Sequence, residues 1–318
     1  MLKEICITPN VFECGHITSA NWKDIKNLLE VISNSGFILG LNNKDWKKSV
    51  FENIGQLEPM IKDRLSSILS ILRDRDRIVG HPKNNRFSGA KEEDWMDVAL
   101  ELNNIRVFYK IIATQAYGGK AFTVKQLEET NISHEFGITG STRILKTAKN
   151  LHKLLLPFLA YSKKITIIDP YFQLDQIKYK DTLKIVAECF RERRGKRECG
   201  RILIHCKWNV KSKSEDLVKD DLVKWQKTIA KMSGTYNHSI EVHVWAGIDD
   251  SVKLHDRYFI TNQSGLVSAA GTDVDNRQQS EWSIKKYEEL NTVLSQYNKN
   301  SSPFKLKGIV TKSSIEYY

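Results

Sequence analysis

The sequence predicts an α/β protein: a sheet with helices on its faces, preceded by a mainly helical or α/β N-terminal domain. Three observations carry this. Short apolar, β-branched runs alternate with helical-period segments of ten to fifteen residues through the second half. The first half opens on one such run and continues mostly in helical patterns. A change of composition at NISHEFGITGST separates the two, placing domains at 1–140 and 141–318.

In chain order, ICITPNVF reads as a strand, punctuated by Pro9 and Gly15. Thr18 or Ser19 caps a helix to about Asn34, with Trp22, Ile25, Leu28, Leu29 and Ile32 on one stripe. GFILGL is a second short strand. A helical pattern runs from Trp46 to Ile78, broken near Gly55 and Pro59, and GHPKNNRFSGAKEED is a loop. A helix starts near Glu93, and IRVFYKIIATQ is a strand candidate. Ser141 is expected to cap a helix through about Tyr161. The strands KITIIDPYF, RILIHCKW, SIEVHVWAG, KLHDRYFIT and GLVSAAG follow. Helices fall around Leu183–Phe190, Val218–Met232 and Tyr287–Tyr297.

Composition narrows the function classes. Of 318 residues, 41% are hydrophobic and 27% charged, which excludes low-complexity and collagen-like architectures. No apolar run reaches the roughly 18–20 residues of a membrane span, and no leader pattern opens the chain, so a cytoplasmic protein without a membrane partner is expected. Five cysteines form no CxxC pair, which argues for free thiols and against a metal site. The net charge of +11 divides as +3 over residues 1–150 and +8 over 151–318. Nucleic acid, DNA before RNA, is the partner such a field suits. Nine Lys or Arg against two Glu between Arg191 and Lys213 suggest a phosphate track, with Arg193, Arg194 and Arg197 as its core. A solvated helix end is the other reading of that stretch.

The most informative segment is KLHDRYFITNQSGLVSAAGTDVDNR. Strand alternation puts His255 and Arg257 on one face about 7 Å apart, a spacing at which both can contact one phosphate. A neutral imidazole can attack phosphorus while a guanidinium neutralises the equatorial oxygens. The small run Ser268–Thr272 allows a ligand to approach backbone.

This segment resembles the phospholipase D superfamily, whose hallmark is His-x-Lys-x4-Asp followed by Gly-Ser-x-Asn. His255 takes the nucleophile position and Gly271-Thr272 sits where Gly-Ser would; Arg257 replaces lysine, Asn262 the aspartate and Val274 the asparagine. The resemblance covers about residues 160–300. It implies a mixed sheet with helices on both faces and a metal-independent, cofactor-free phosphodiesterase or nuclease, of a type associated with bacterial antiviral defence. One motif per chain implies a homodimer or a larger complex with an ATPase. Glu281, beside Asp169 and Asp273, is a candidate for the carboxylate that supports the histidine. His205-Cys206-Lys207 is a second, less complete His-x-Lys. A catalytically inactive scaffold for DNA binding or assembly is the alternative to the nuclease.

ICITPNVFE also resembles the opening strand of PIN-type nucleases. Thr8 stands where that family has its metal-binding Asp, so the resemblance implies an inactive domain, and Glu92, Glu93, Asp94 and Asp97 are its remaining acids.

Overall fold

A computed structural model describes residues 3–42, 44–80, 87, 89, 91–105, 107–129, 141–194, 200–208, 214–246, 257–285 and 287–318, with backbone alone at 192–194 and 287–288. The chain divides into two compact α/β units, Met1–Thr139 and Gly140–Tyr318.

The first unit is built on four parallel strands in the order β3-β2-β1-β4, where β1 is Lys3–Ile7, β2 Gly36–Gly40, β3 Ile78–Gly80 and β4 Lys110–Ile112. Helices α1 (Trp22–Ser35), α2 (Lys44–Gly55), α3 (Pro59–Asp74), α4 (Glu92–Ile105) and α5 (Val124–Glu129) connect and cover them. The break between α2 and α3 falls at Gly55 and Pro59, and Pro59 begins α3, where its missing N–H costs no helical bond. The helical pattern expected to reach Ile78 stops at Asp74. Asp76 turns the chain in the left-handed region (φ 51), and Ile78 opens β3. Arg77 is buried at that turn and donates from Nη1 to the Gly36 carbonyl at 2.8 Å, tying β3 to the start of β2.

The second unit carries a nine-stranded mixed sheet in the order β13-β12-β8-β7-β6-β9-β10-β11-β5. Its strands are β5 Thr142–Lys146, β6 Lys164–Ile168, β7 Arg201–Lys207, β8 Ser239–Ala246, β9 Arg257–Thr261, β10 Gly265–Ser268, β11 Asp275–Lys285, β12 Lys305–Val310 and β13 Ile315–Tyr317. Strands β6, β7 and β8 are mutually parallel; every other pairing is antiparallel. The helices are α6 (Ala148–Leu159), α7 (Ile177–Arg194), α8 (Glu215–Tyr236) and α9 (Tyr287–Ser295).

The strand register sorts side chains onto two faces. Ile165, Ile167, Ile202, Ile204, Val242, Val244 and Phe259 share one, where Leu222 of α8 meets Gly308 of β12. Ile168, Trp245 and Ile260 share the other, under Leu290 of α9 together with Tyr297 and Phe304.

One expectation is corrected here. Residues 142–146 form β5, paired with β11, and the helix expected from Ser141 begins at Ala148 with Thr147 as its cap, its hydroxyl accepting from the Asn150 amide at 3.3 Å. The polar run Asp275–Lys285, to which the sequence pattern assigns no element, is an interior strand.

Candidate functional site

In the second unit, strand direction gathers the chemistry at one end of the sheet. β6 and β7 finish there, β9 starts there, β10 finishes there and β5 ends beside the start of β11. Ligands of α/β sheets characteristically bind at the carboxyl ends of parallel strands. Asp169 follows β6, Arg257 opens β9, Ala269–Asp273 follow β10 and Lys146 closes β5.

Asp169 is completely buried, and its carboxylate organises the turn. Oδ1 accepts the Tyr171 amide at 2.9 Å; Oδ2 accepts both the amide and the hydroxyl of Thr272, at 3.0 and 2.7 Å. Gly271 adopts φ +95°, and a Cβ there would stand 2.7 Å from an Asp273 carboxylate oxygen, so glycine is required. The Ser268 hydroxyl donates to the Gly271 carbonyl at 2.7 Å, and Ser280 bonds Ser268 from β11 at 2.9 Å.

Behind the turn lies a buried ion cluster. Lys146 Nζ, wholly buried, donates to Asp273 Oδ1 (2.7 Å), the Ala270 carbonyl (2.9 Å) and Gln278 Oε1 (2.9 Å). Lys178 reaches Asp273 Oδ2 at 3.3 Å. Burial raises the Asp273 pKa, but the two ammonium groups outweigh it and hold the carboxyl below its ordinary range. Arg257 donates from Nη1 to the Ala269 carbonyl at 3.1 Å, and its guanidinium lies over the exposed Tyr171 ring, 5.4 Å from the centroid.

Of the residues singled out in the sequence, Arg257, Gly271 and Thr272 come together here, with Asp169 and Asp273. His255 and Arg197 lie outside the described residues, and Arg193 and Arg194 are described only as the last backbone positions of α7. Asn262 is not at this end: it follows the far end of β9, where its side-chain oxygen accepts the Lys163 amide at 3.3 Å. Glu281 sits beside Trp282, which is in register with Ser268 and through it with Arg257, so its side chain takes the opposite face and accepts the Ser141 hydroxyl. His205 is a core residue. Its Nδ1 accepts the Trp245 indole N–H at 3.0 Å, its ring packs on Tyr297, and burial holds its pKa well below that of a free histidine. Trp208 and Trp225 are buried, and Trp225 donates to Asp175 at 3.0 Å.

Lys146, Lys178 and Tyr171 were not singled out. Lys146 falls in a segment whose local pattern suggests helix, and nothing local marks its ammonium as buried. Among the described residues, no group of three His, Cys, Asp or Glu is placed to hold a metal ion.

The first unit has its own polar cluster at the carboxyl ends of β1 and β4. Glu92, at the start of α4, accepts the Thr8 hydroxyl (2.7 Å), the Thr114 amide (2.8 Å), the Thr114 hydroxyl and the Tyr117 hydroxyl (3.1 Å). The acceptor capacity of this carboxylate is thus met by neutral donors. Asn10 donates to Glu13 at 2.6 Å, away from Glu92.

The sequence matches no known family model and no curated protein. Among solved structures, the archaeal chromatin protein TrmBL2, described as showing a novel mode of DNA binding, aligns over 77% of this chain and 82% of its own at 12% identity. The TM-score of that alignment is 0.27, which carries no argument about fold or function.

Proposed function

We propose that the second unit is a phospholipase-D-like module that handles phosphodiesters of nucleic acid, with His255 as nucleophile and Arg257 as the cation that neutralises the phosphoryl oxygens. The convergence of Arg257, the Gly271–Thr272 turn and Asp169, which stands about a hundred residues earlier in the chain, at one end of the sheet is the observation that supports this reading. In the proposed reaction, an imidazole nitrogen of His255 forms a bond to phosphorus as the P–O bond to the leaving alcohol breaks. A histidine from a second copy protonates the departing oxygen, and water then hydrolyses the phosphohistidine. The second histidine makes a homodimer, or a partner chain within a larger complex, part of the proposal. Arg193, Arg194 and Arg197 would hold the backbone of the same substrate.

The scaffold reading has a specific observation in its favour. Asp169 is engaged by Thr272 and Tyr171, Asp273 by two lysines, and Glu281 faces away, so none of the three is visibly reserved for an imidazole. Cleavage of DNA and RNA by the purified full chain in EDTA, compared with His255→Ala, separates the readings. EDTA-resistant cleavage that His255→Ala abolishes supports the nuclease; nucleic-acid binding without cleavage, unchanged in that variant, supports the scaffold.

A further inference from the structure

α7 and α8 lie side by side with a groove of about 610 Å³ between them, which begins within one turn of Lys178 and takes none of the strand-end residues into its lining. Lys180 and Lys184 line it from α7, and Lys227 and Lys231 from α8, together with Thr228 and Tyr236. Each lysine pair is spaced i,i+4, so the two rows run with the groove at a step of about 6 Å. Like charges at this spacing repel within a helix, so the rows work slightly against folding. Lys180, Lys227 and Lys231 make no ion pair among the described residues, and Lys184 meets Glu188 only at 4.0 Å, with more than half its side chain exposed.

Two carboxylates lie nearby. Asp181 is on the groove wall, and Glu188 accepts the Tyr236 hydroxyl at 3.4 Å. Arg191, three residues beyond Glu188, places its guanidinium over the Tyr236 ring at 5.4 Å and extends the α7 row. Five cations against two carboxylates leave a positive, concave strip edged by a hydroxyl and an aromatic ring.

We infer that this groove binds one sugar–phosphate backbone of a nucleic acid, as a site separate from the strand-end turn. The inference rests on the reading of nucleic acid as the ligand class, and adds where its backbone lies. Concavity favours this ligand over an anionic membrane: a flexible phosphate chain can enter between the helices, whereas a flat bilayer meets only the rims. Phosphate contacts position a backbone without reading sequence, so the groove should serve any base composition.

The test uses the full chain and a fluorescently labelled oligonucleotide, with anisotropy followed across salt concentrations. Lys227→Gln with Lys231→Gln, and separately Lys180→Gln with Lys184→Gln, should each weaken binding. Each should also flatten the plot of log K against log salt by roughly 0.7–0.9 for every phosphate that the variant no longer neutralises. Glutamine keeps helix propensity, and circular dichroism verifies the fold. Hydrolysis of bis(p-nitrophenyl) phosphate, too short to span both sites, should be unaffected by these variants. Unchanged affinity and slope in both pairs would overturn the groove while leaving the His255 reading intact. So would lysine-dependent binding to phosphatidylserine vesicles with none to oligonucleotide. His255-dependent hydrolysis of the small ester by a wild-type protein that binds no oligonucleotide would likewise overturn the groove and spare the strand-end site.

Discussion

Both units place a polar cluster at the carboxyl ends of parallel strands, and the two clusters are opposite in character. In the first, Glu92 is surrounded by Thr8, Thr114 and Tyr117, all neutral donors. In the second, two buried carboxylates are tied to a turn and to two lysines, and Arg257 stands at the same strand ends. A carboxylate whose lone pairs are filled by hydroxyls has little left with which to bind a cation. A cluster with cations in excess is suited to an anion. The same position in two α/β sheets can therefore be closed in one and anion-attracting in the other.

The largest expected effect that sharpens this contrast is at Asp273. Asp273→Ala leaves the Lys146 ammonium buried with neutral acceptors, and breaking such a pair costs about 3–5 kcal/mol. Urea denaturation followed by hydrogen exchange should show the loss in peptides of the second unit, with the first unit unmoved. Exchange that is unchanged around β5 and β10 would break the ion-cluster account.

Glu92→Ala probes the neutral cluster and should cost less, about 1–3 kcal/mol, the penalty of leaving buried donors such as the Thr8 hydroxyl unpaired. The loss should appear in β1 and β4. Gly271→Ala comes next, about 1–3 kcal/mol from a left-handed backbone and the close approach to Asp273. An unaltered thermal midpoint would show that the turn is looser than its hydrogen bonds indicate.

The smallest effect is pH dependence in the second unit. Burial lowers the pKa of both His205 and His243, with the Glu241 carboxylate partly opposing it at His243. The folded state therefore favours neutral rings. Their contribution is complete above the unfolded value of about 6.5 and is lost progressively as pH falls below it, because the unfolded chain takes up the protons. His205→Gln retains an acceptor for Trp245 and should flatten the decline between pH 7 and 5. A parallel decline in variant and wild type would place the titration elsewhere.

The elements legible in the sequence were those with local signals. The apolar stripe of α1, the Gly55 and Pro59 break, and the β-branched runs of β6, β7 and β8 all stand where their patterns put them. Elements that depend on distant partners were not legible. Thr142–Lys146 is too short to distinguish strand from helix by period, and its partner β11 lies some 130 residues away. β11 itself is polar along most of its length; backbone pairing to β10 and β5 holds it, and Trp282, buried and stacked on Phe259, anchors it. The candidate site divides in the same way. Asp169, at a strand end before proline, and the Gly271 turn carried local signals. Lys146 carried none, because what makes it structural is its burial against Asp273.

The contrast between the two clusters is tested most directly by assaying Arg257→Ala and Glu92→Gln side by side for cleavage of a labelled oligonucleotide in EDTA. Removing a charge-stabilising donor typically costs a factor of roughly 10² to 10³ in rate. Arg257→Ala should show that loss, while Glu92→Gln, with its fold intact, should cleave like wild type. Cleavage that survives Arg257→Ala but falls with Glu92→Gln, or that requires a divalent metal, would contradict the account and move the chemistry to the first unit.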